Sequence, residues 1–183
     1  YISSAVRGLP RRVFFSFHYE RDAWRAAQVR NSWVTKPDRE AAGFWDAADW
    51  EAVKKQGDDA IKRWIDSRLE GTSVTVVLIG AETSHREWVR YEIQRSYDKG
   101  NRIVGIYIHN LKDQNGDTDK KGDIDFGEID GHDFEDISTI YDWVNDSGYE
   151  NLGEWIEREH LIASRPDLEP PLVRSANRTG CIR

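Results

Sequence analysis

Cysteine occurs once in this sequence, at Cys181, and methionine not at all. A lone thiol closes no intrachain disulfide and builds no thiolate metal cluster, so a reducing, cytoplasmic setting is expected and no metal site. Because methionine is missing even from position 1, residues 1–10, YISSAVRGLP, are read as a residual segment outside the fold. No apolar run is long enough to cross a bilayer, and the N-terminus lacks the charged start and apolar centre of a secretory signal. A soluble protein with no membrane partner is expected. Cations are outnumbered, with 26 Lys and Arg against 33 Asp and Glu. The formal charge of -7 argues against a sequence-independent grip on phosphate backbones, so nucleic acid is not an expected partner.

Several motifs are missing as well. There is no GxxxxGK[ST] loop, no GxGxxG after a strand, no HExxH and no GxSxG. Ordinary nucleoside triphosphatases, nicotinamide dehydrogenases, zinc proteases and α/β-hydrolases are thereby set aside. No internal repeat or low-complexity tract is present.

What is present suffices for one domain with a real core: 183 residues, 38% of them hydrophobic. Arg12 to Tyr19, RVFFSFHY, reads as a first, central strand ending in polar groups. Asp22 to Val34 reads as a helix with Trp24, Ala27 and Asn31 on one side. The stretch Asp38 to Trp50, DREAAGFWDAADW, predicts a short strand at Gly43 to Asp46 followed by a loop. Its aromatics either stack on a planar ring or cover the edge of the core. Glu51 to Glu70 predicts one continuous helix, with Val53, Gly57, Ala60, Ile61, Trp64, Ile65 and Leu69 recurring at steps of three and four.

Ser73 to Tyr97 carries the most information. Residues 74 to 79 form a continuous β-branched and aliphatic run before Gly80, the pattern of a strand buried on both faces. Ser84 and Glu87 have the spacing of a capping box for the helix that follows. On that helix Trp88 and Glu92 share one side, Val89, Ile93 and Tyr97 line the adjoining stripe, and Gly100 ends it. Glu92 therefore sits at the border of a buried face, where it is either a working carboxylate or a partner for Arg90 or Arg95.

Arg102 to His109 reads as another buried strand. Strands alternating with helices imply an α/β fold, a parallel sheet with helices on both faces and right-handed crossovers. Residues 110–134 are polar and Asp-rich. From Asp113 the sixth position, where a calcium loop needs glycine, is Thr118, so a solvated surface insertion is expected. Ile137 to Ile140 reads as a last strand, and Tyr141 to Val144 and Asn151 to Glu159 as helical pieces. Residues 164–183, with three prolines, are expected as an extension beyond a domain spanning 11–163.

VFFSFHYERD at 13–22, GFWD at 43–46 and SVTVVLIGAETSHREWVRYEI at 73–93 fall in the order of three boxes of a TIR domain. They resemble its first strand, its BB loop, and its third strand leading into a helix with the W-x-x-x-E motif. The wording is closest to the TIR-like proteins of the Thoeris antiphage system. This resemblance implies a flavodoxin-like fold that cleaves NAD+ between nicotinamide and ribose and makes a cyclic ADP-ribose isomer. NAD+ would be substrate rather than cofactor, and the product would signal to a separate effector. The catalytic carboxylate would be Glu92, with Ser16, Phe17, His18, Tyr19 and Asp46 lining the pocket and Trp50, Ser84 and Trp88 completing it. Aromatic walls such as Phe17, Tyr19, Trp45 and Trp88 would keep water from the reacting sugar. Many TIR domains carry cysteine where this chain has Val89, which leaves the expected carboxylate untouched.

The competing expectation is a TIR module that only interacts, self-association included, with Glu92 a structural acid. A receiver-like signalling domain ranks last, since it needs paired acids where this chain has His18 and Tyr19.

Overall fold

The structure is a computed structural model that describes residues 11–44 and 47–164. Trp45, Asp46, residues 1–10 and residues 165–183 lie outside the described residues. Five strands run parallel in one sheet: β1 (Arg11–Phe17), β2 (Arg39–Ala42), β3 (Val74–Ile79), β4 (Arg102–Tyr107) and β5 (Ser138–Asp142). Their order is β2-β1-β3-β4-β5, the flavodoxin-like arrangement. β3 is buried along its whole length, as its unbroken apolar run requires.

Alternation along the strands sorts the side chains into two layers. Val13, Phe15 and Phe17 of β1 and Val76 and Leu78 of β3 pack with Trp33, Trp155 and Ile156. These three come from helices α1 (Tyr19–Val34) and α6 (Gly148–Ser164). The opposite face is covered by α3 (Asp58–Leu69) and α4 (Glu87–Lys99). There Phe14 packs with Ile61 and Ile65 of α3, and Val77 and Ile79 pack with Val89 and Ile93 of α4. No helix among the described residues is long and apolar enough to cross a membrane.

Several local expectations are corrected. The second strand is Arg39–Ala42 rather than Gly43 to Asp46. Gly43 instead leaves the sheet at φ +86, so close to the chain that a Cβ there would lie 2.1 Å from the Phe15 carbonyl oxygen. The single helix expected over Glu51 to Glu70 is two, α2 (Ala47–Lys54) and α3, separated by Gly57 at φ 90. Glycine is a poor helix-interior residue, and Asp58 and Asp59 find a better place in a first turn, beside free amides.

On α1 the inward side is Asp22, Arg25, Ala26, Val29 and Trp33, while Trp24 is exposed. Counting apolar residues misplaced this face because two charged residues are buried in it. The capping box does not form: Ser84 lies in a 3-10 turn (Thr83–His85), Arg86 is the N-cap of α4, and no side chain caps it. Tyr141 and Asp142 belong to β5, not to a helix. Residues 110–133 are largely irregular but not merely solvated, because Phe126 and Ile129 are buried against Ile93 and Phe134. The segment thus does part of the covering that a long helix provides elsewhere, and the short α5 (Phe134–Ile137) completes it.

Candidate active site

In a sheet of this order, ligands bind beyond the carboxyl ends of the strands where the order reverses, here between β1 and β3. A cleft of about 220 Å³ lies at the end of β1, and Phe17, His18, Tyr19, Trp50, Trp88 and Glu92 line it. Six side chains singled out in the sequence therefore meet on one surface.

Glu92 is 5% exposed and sits on the inward face of α4, one turn before Ser96. Both reach toward the sheet: the Ser16 hydroxyl donates to Glu92 Oε2 at 2.5 Å, and the Thr75 hydroxyl donates to Ser96 at 2.8 Å. Thr75 is also tied to Asn101, so that lower contact belongs to a closed structural network. The upper one opens on the cleft. Burial pushes the Glu92 carboxyl up to about 8, while the Ser16 hydrogen bond pulls the other way. At neutral pH the group by itself is mostly protonated, although the resemblance implies a carboxylate at this position.

Ser16 supports the site from behind rather than from its wall. His18 is buried, its Nε2 3.9 Å from Glu82. Burial, and then the charge of Arg86, holds its pKa below the ordinary value, so the imidazole is neutral near pH 7. Phe17 packs against Phe44, with ring centroids 5.0 Å apart, and Tyr19 stands at the start of α1. Trp88 meets Tyr91 edge-on at 6.0 Å, and with Trp50 it packs on the cluster around Phe14. These rings are anchored on the core on one side and border the cleft on the other.

Ser84 is buried in its turn and is not among the side chains bordering the cleft. Asp46 lies outside the described residues. Val89, expected only on the apolar stripe, also borders the cleft, as do Glu20, Lys54 and Arg86, which were not singled out. Lys54 follows Trp50 by one helical turn, a signal the sequence did contain. Arg86 had none, since its place depends on where α4 begins.

Behind the cleft an ionic cluster joins α1 to the irregular segment. Arg25 donates from Nε to the Leu111 carbonyl at 2.8 Å and from Nη2 to the Asp117 carbonyl at 3.0 Å, and its Nη1 lies 3.4 Å from Asp22 Oδ1. Burial raises the Asp22 carboxyl to about 6, the neighbouring Arg25 opposing it. Arg21 bridges Asp119 at 2.9 Å and Glu82 at 3.3 Å. Glu82 in turn holds Arg86 at 2.9 Å.

Comparison with known proteins agrees with this fold. Residues 14–113 match the family model described as "Thoeris protein ThsB, TIR-like domain". A protein of Bacillus cereus (strain MSX-D12) named "Putative cyclic ADP-D-ribose synthase ThsB1" is 43% identical over 161 residues, covering 86% of this chain and 80% of that protein. With its five-stranded parallel sheet and its W-x-x-x-E helix, the chain belongs to the TIR-like domain family of the Thoeris protein ThsB.

Proposed function

We propose that the protein cleaves NAD+ at the bond between nicotinamide and ribose and closes the ADP-ribose part on itself. The cyclic ADP-ribose isomer so formed would signal to a separate effector in antiphage defence. The observation that carries this reading is the Glu92 carboxyl, buried at a cleft where the sheet order reverses and backed by the Ser16 hydroxyl. The name of the 43% identical relative supports the same chemistry.

The mechanism follows from charge. When the C1′–N bond breaks, its electron pair passes to the pyridinium nitrogen, so nicotinamide leaves neutral and no strong acid is needed to assist it. Positive charge appears on the ribose ring, as in glycoside hydrolysis. A carboxylate beside the ring stabilises that state more than the ground state. Glu92 by itself is mostly protonated at neutral pH, but the cationic pyridinium of bound NAD+ favours ionisation, so the charge is present when it is needed. A hydroxyl of the same molecule then bonds to C1′ and gives up its proton, which the ionised Glu92 can accept. Phe17, Tyr19, Trp50 and Trp88 border the space with apolar surface, which disfavours capture of the sugar by water.

The test is direct. Purified protein incubated with NAD+ is expected to release nicotinamide and a cyclic product that mass spectrometry distinguishes from ADP-ribose by the mass of one water, and Glu92→Gln is expected to abolish both. Undiminished release by Glu92→Gln would remove the carboxylate from the mechanism. No release under any condition would favour a TIR domain that acts only by association.

A further inference from the structure

The cleft is small for a dinucleotide. Pockets that enclose drug-sized ligands run to roughly 300–1,000 Å³. At about 220 Å³, this one has room for the nicotinamide and its ribose beside Glu92, and the two phosphates must lie at its mouth. Two basic side chains border it among the described residues, Lys54 at the end of α2 and Arg86 just before α4. His18, the remaining candidate cation there, is neutral near pH 7 because it is buried and faces Arg86.

Both cations are disposed to take an anion. Lys54 is exposed, and no carboxylate pairs with it among the described residues. Arg86 is held through Nη2 by Glu82 at 2.9 Å, which fixes the guanidinium while its Nη1 makes no hydrogen bond among the described residues. Glu82 is itself shared with Arg21, so it neutralises Arg86 incompletely. A held guanidinium and an exposed ammonium bordering one cleft suit a diphosphate, whose oxygens can meet a fork and a point charge together.

We propose that Lys54 and Arg86 form a diphosphate subsite at the mouth of the Glu92 cleft, through which the protein selects a nicotinamide dinucleotide over phosphate-free nicotinamide riboside. This assignment rests on the reading of the cleft as an NAD+ site. It makes the two cations binding residues: they touch the phosphates and not the bond that breaks.

Calorimetric titration with ADP-ribose, which has both phosphates but lacks the nicotinamide–ribose bond, tests the subsite apart from catalysis. Lys54→Gln and Arg86→Gln are each expected to weaken ADP-ribose binding about tenfold. Each should also flatten the loss of affinity between about 50 and 200 mM salt. Binding of nicotinamide riboside, measured in parallel, is expected to stay within about twofold. Lys54 is exposed, so its variant carries the test even where Arg86→Gln disturbs the fold. Unchanged ADP-ribose affinity in Lys54→Gln overturns the subsite, as does an equal loss for the riboside or a natural chain that does not bind ADP-ribose. ADP-ribose binding with these signatures and no nicotinamide release would leave the subsite standing and count against the catalytic reading instead.

Discussion

The Ser16 hydroxyl lies 2.5 Å from Glu92 Oε2 and is the only hydrogen-bond partner of that carboxyl among the described residues. Ser16 is on β1, between β2 and β3 in the sheet, and Glu92 is in the middle of α4, so one short contact fixes the carboxyl relative to both the sheet and the helix that border the cleft.

Activity should therefore follow the protonation of Glu92. With the carboxyl near 8 in the free protein, kcat/KM for NAD+ is expected to rise with pH up to about 8, while kcat, which reports the NAD+-bound state, should inflect lower. Ser16→Ala removes the one interaction that lowers this pKa, and should move the kcat/KM inflection upward by about one pH unit. Profiles that superimpose with and without the hydroxyl would show that Ser16 has no hold on the carboxyl.

Glu92→Gln should make the protein more stable while making it inactive. The folded carboxyl holds its proton up to about 8, against the 4.5 of an ordinary glutamate, so between these values the unfolded chain is ionised and the folded one is not. Folding is favoured least at the upper end: the contribution is intact below pH 4.5 and is lost as the pH rises through 8. A neutral glutamine escapes this penalty, so Tm should rise on substitution by more at pH 8 than at pH 5. Equal shifts at both values would mean that the carboxyl carries no burial penalty.

Two glycines with similar positive φ should respond differently to alanine. At Gly43 the new methyl would meet the Phe15 carbonyl oxygen at 2.1 Å, and backbone does not yield as a side-chain end does. A loss of about 3 kcal/mol or more is expected in urea unfolding. At Gly57 nothing lies within 4 Å, so only the backbone conformation is penalised, φ 90 with ψ 176 being a region almost confined to glycine, at about 1–3 kcal/mol. Comparable losses at the two sites would refute the close-approach account of Gly43.

Arg25→Lys should loosen the irregular segment, although the charge is kept. One guanidinium donates to both the Leu111 and Asp117 carbonyls and also neighbours buried Asp22, a fork that an ammonium cannot reproduce. Faster amide hydrogen exchange is expected over residues 111–119, at a stability loss of about 2–4 kcal/mol. Unaltered exchange there would leave Arg25 a neutralising charge rather than a brace.

The parallel sheet and its central strand were legible because an uninterrupted apolar run such as Val74–Ile79 has few places to go except between two covering layers. The helix carrying Glu92 was legible from the same stretch, since Val89, Ile93 and the terminal Gly100 recur at helical spacing. Elsewhere the pattern misled. Gly57 fits an apolar stripe by position but breaks the helix by conformation, and Trp24 points outward while Asp22 and Arg25 go in. Neither outcome is written in hydropathy: the first is set by backbone conformation, and the second by a partner brought from a distance, the Leu111 carbonyl that receives Arg25.

By itself the sequence determined the layer order of the molecule, the face of α4 on which Glu92 would stand and the family to which that helix belongs. Tertiary structure alone decided what the carboxylate is. Packing Glu92 against β1 strips it of water and leaves it one hydroxyl, Ser16, from 76 residues away in the chain, so that its charge depends on what enters the cleft. Solvation is a property of the assembled surroundings, and no local spacing of residues encodes it.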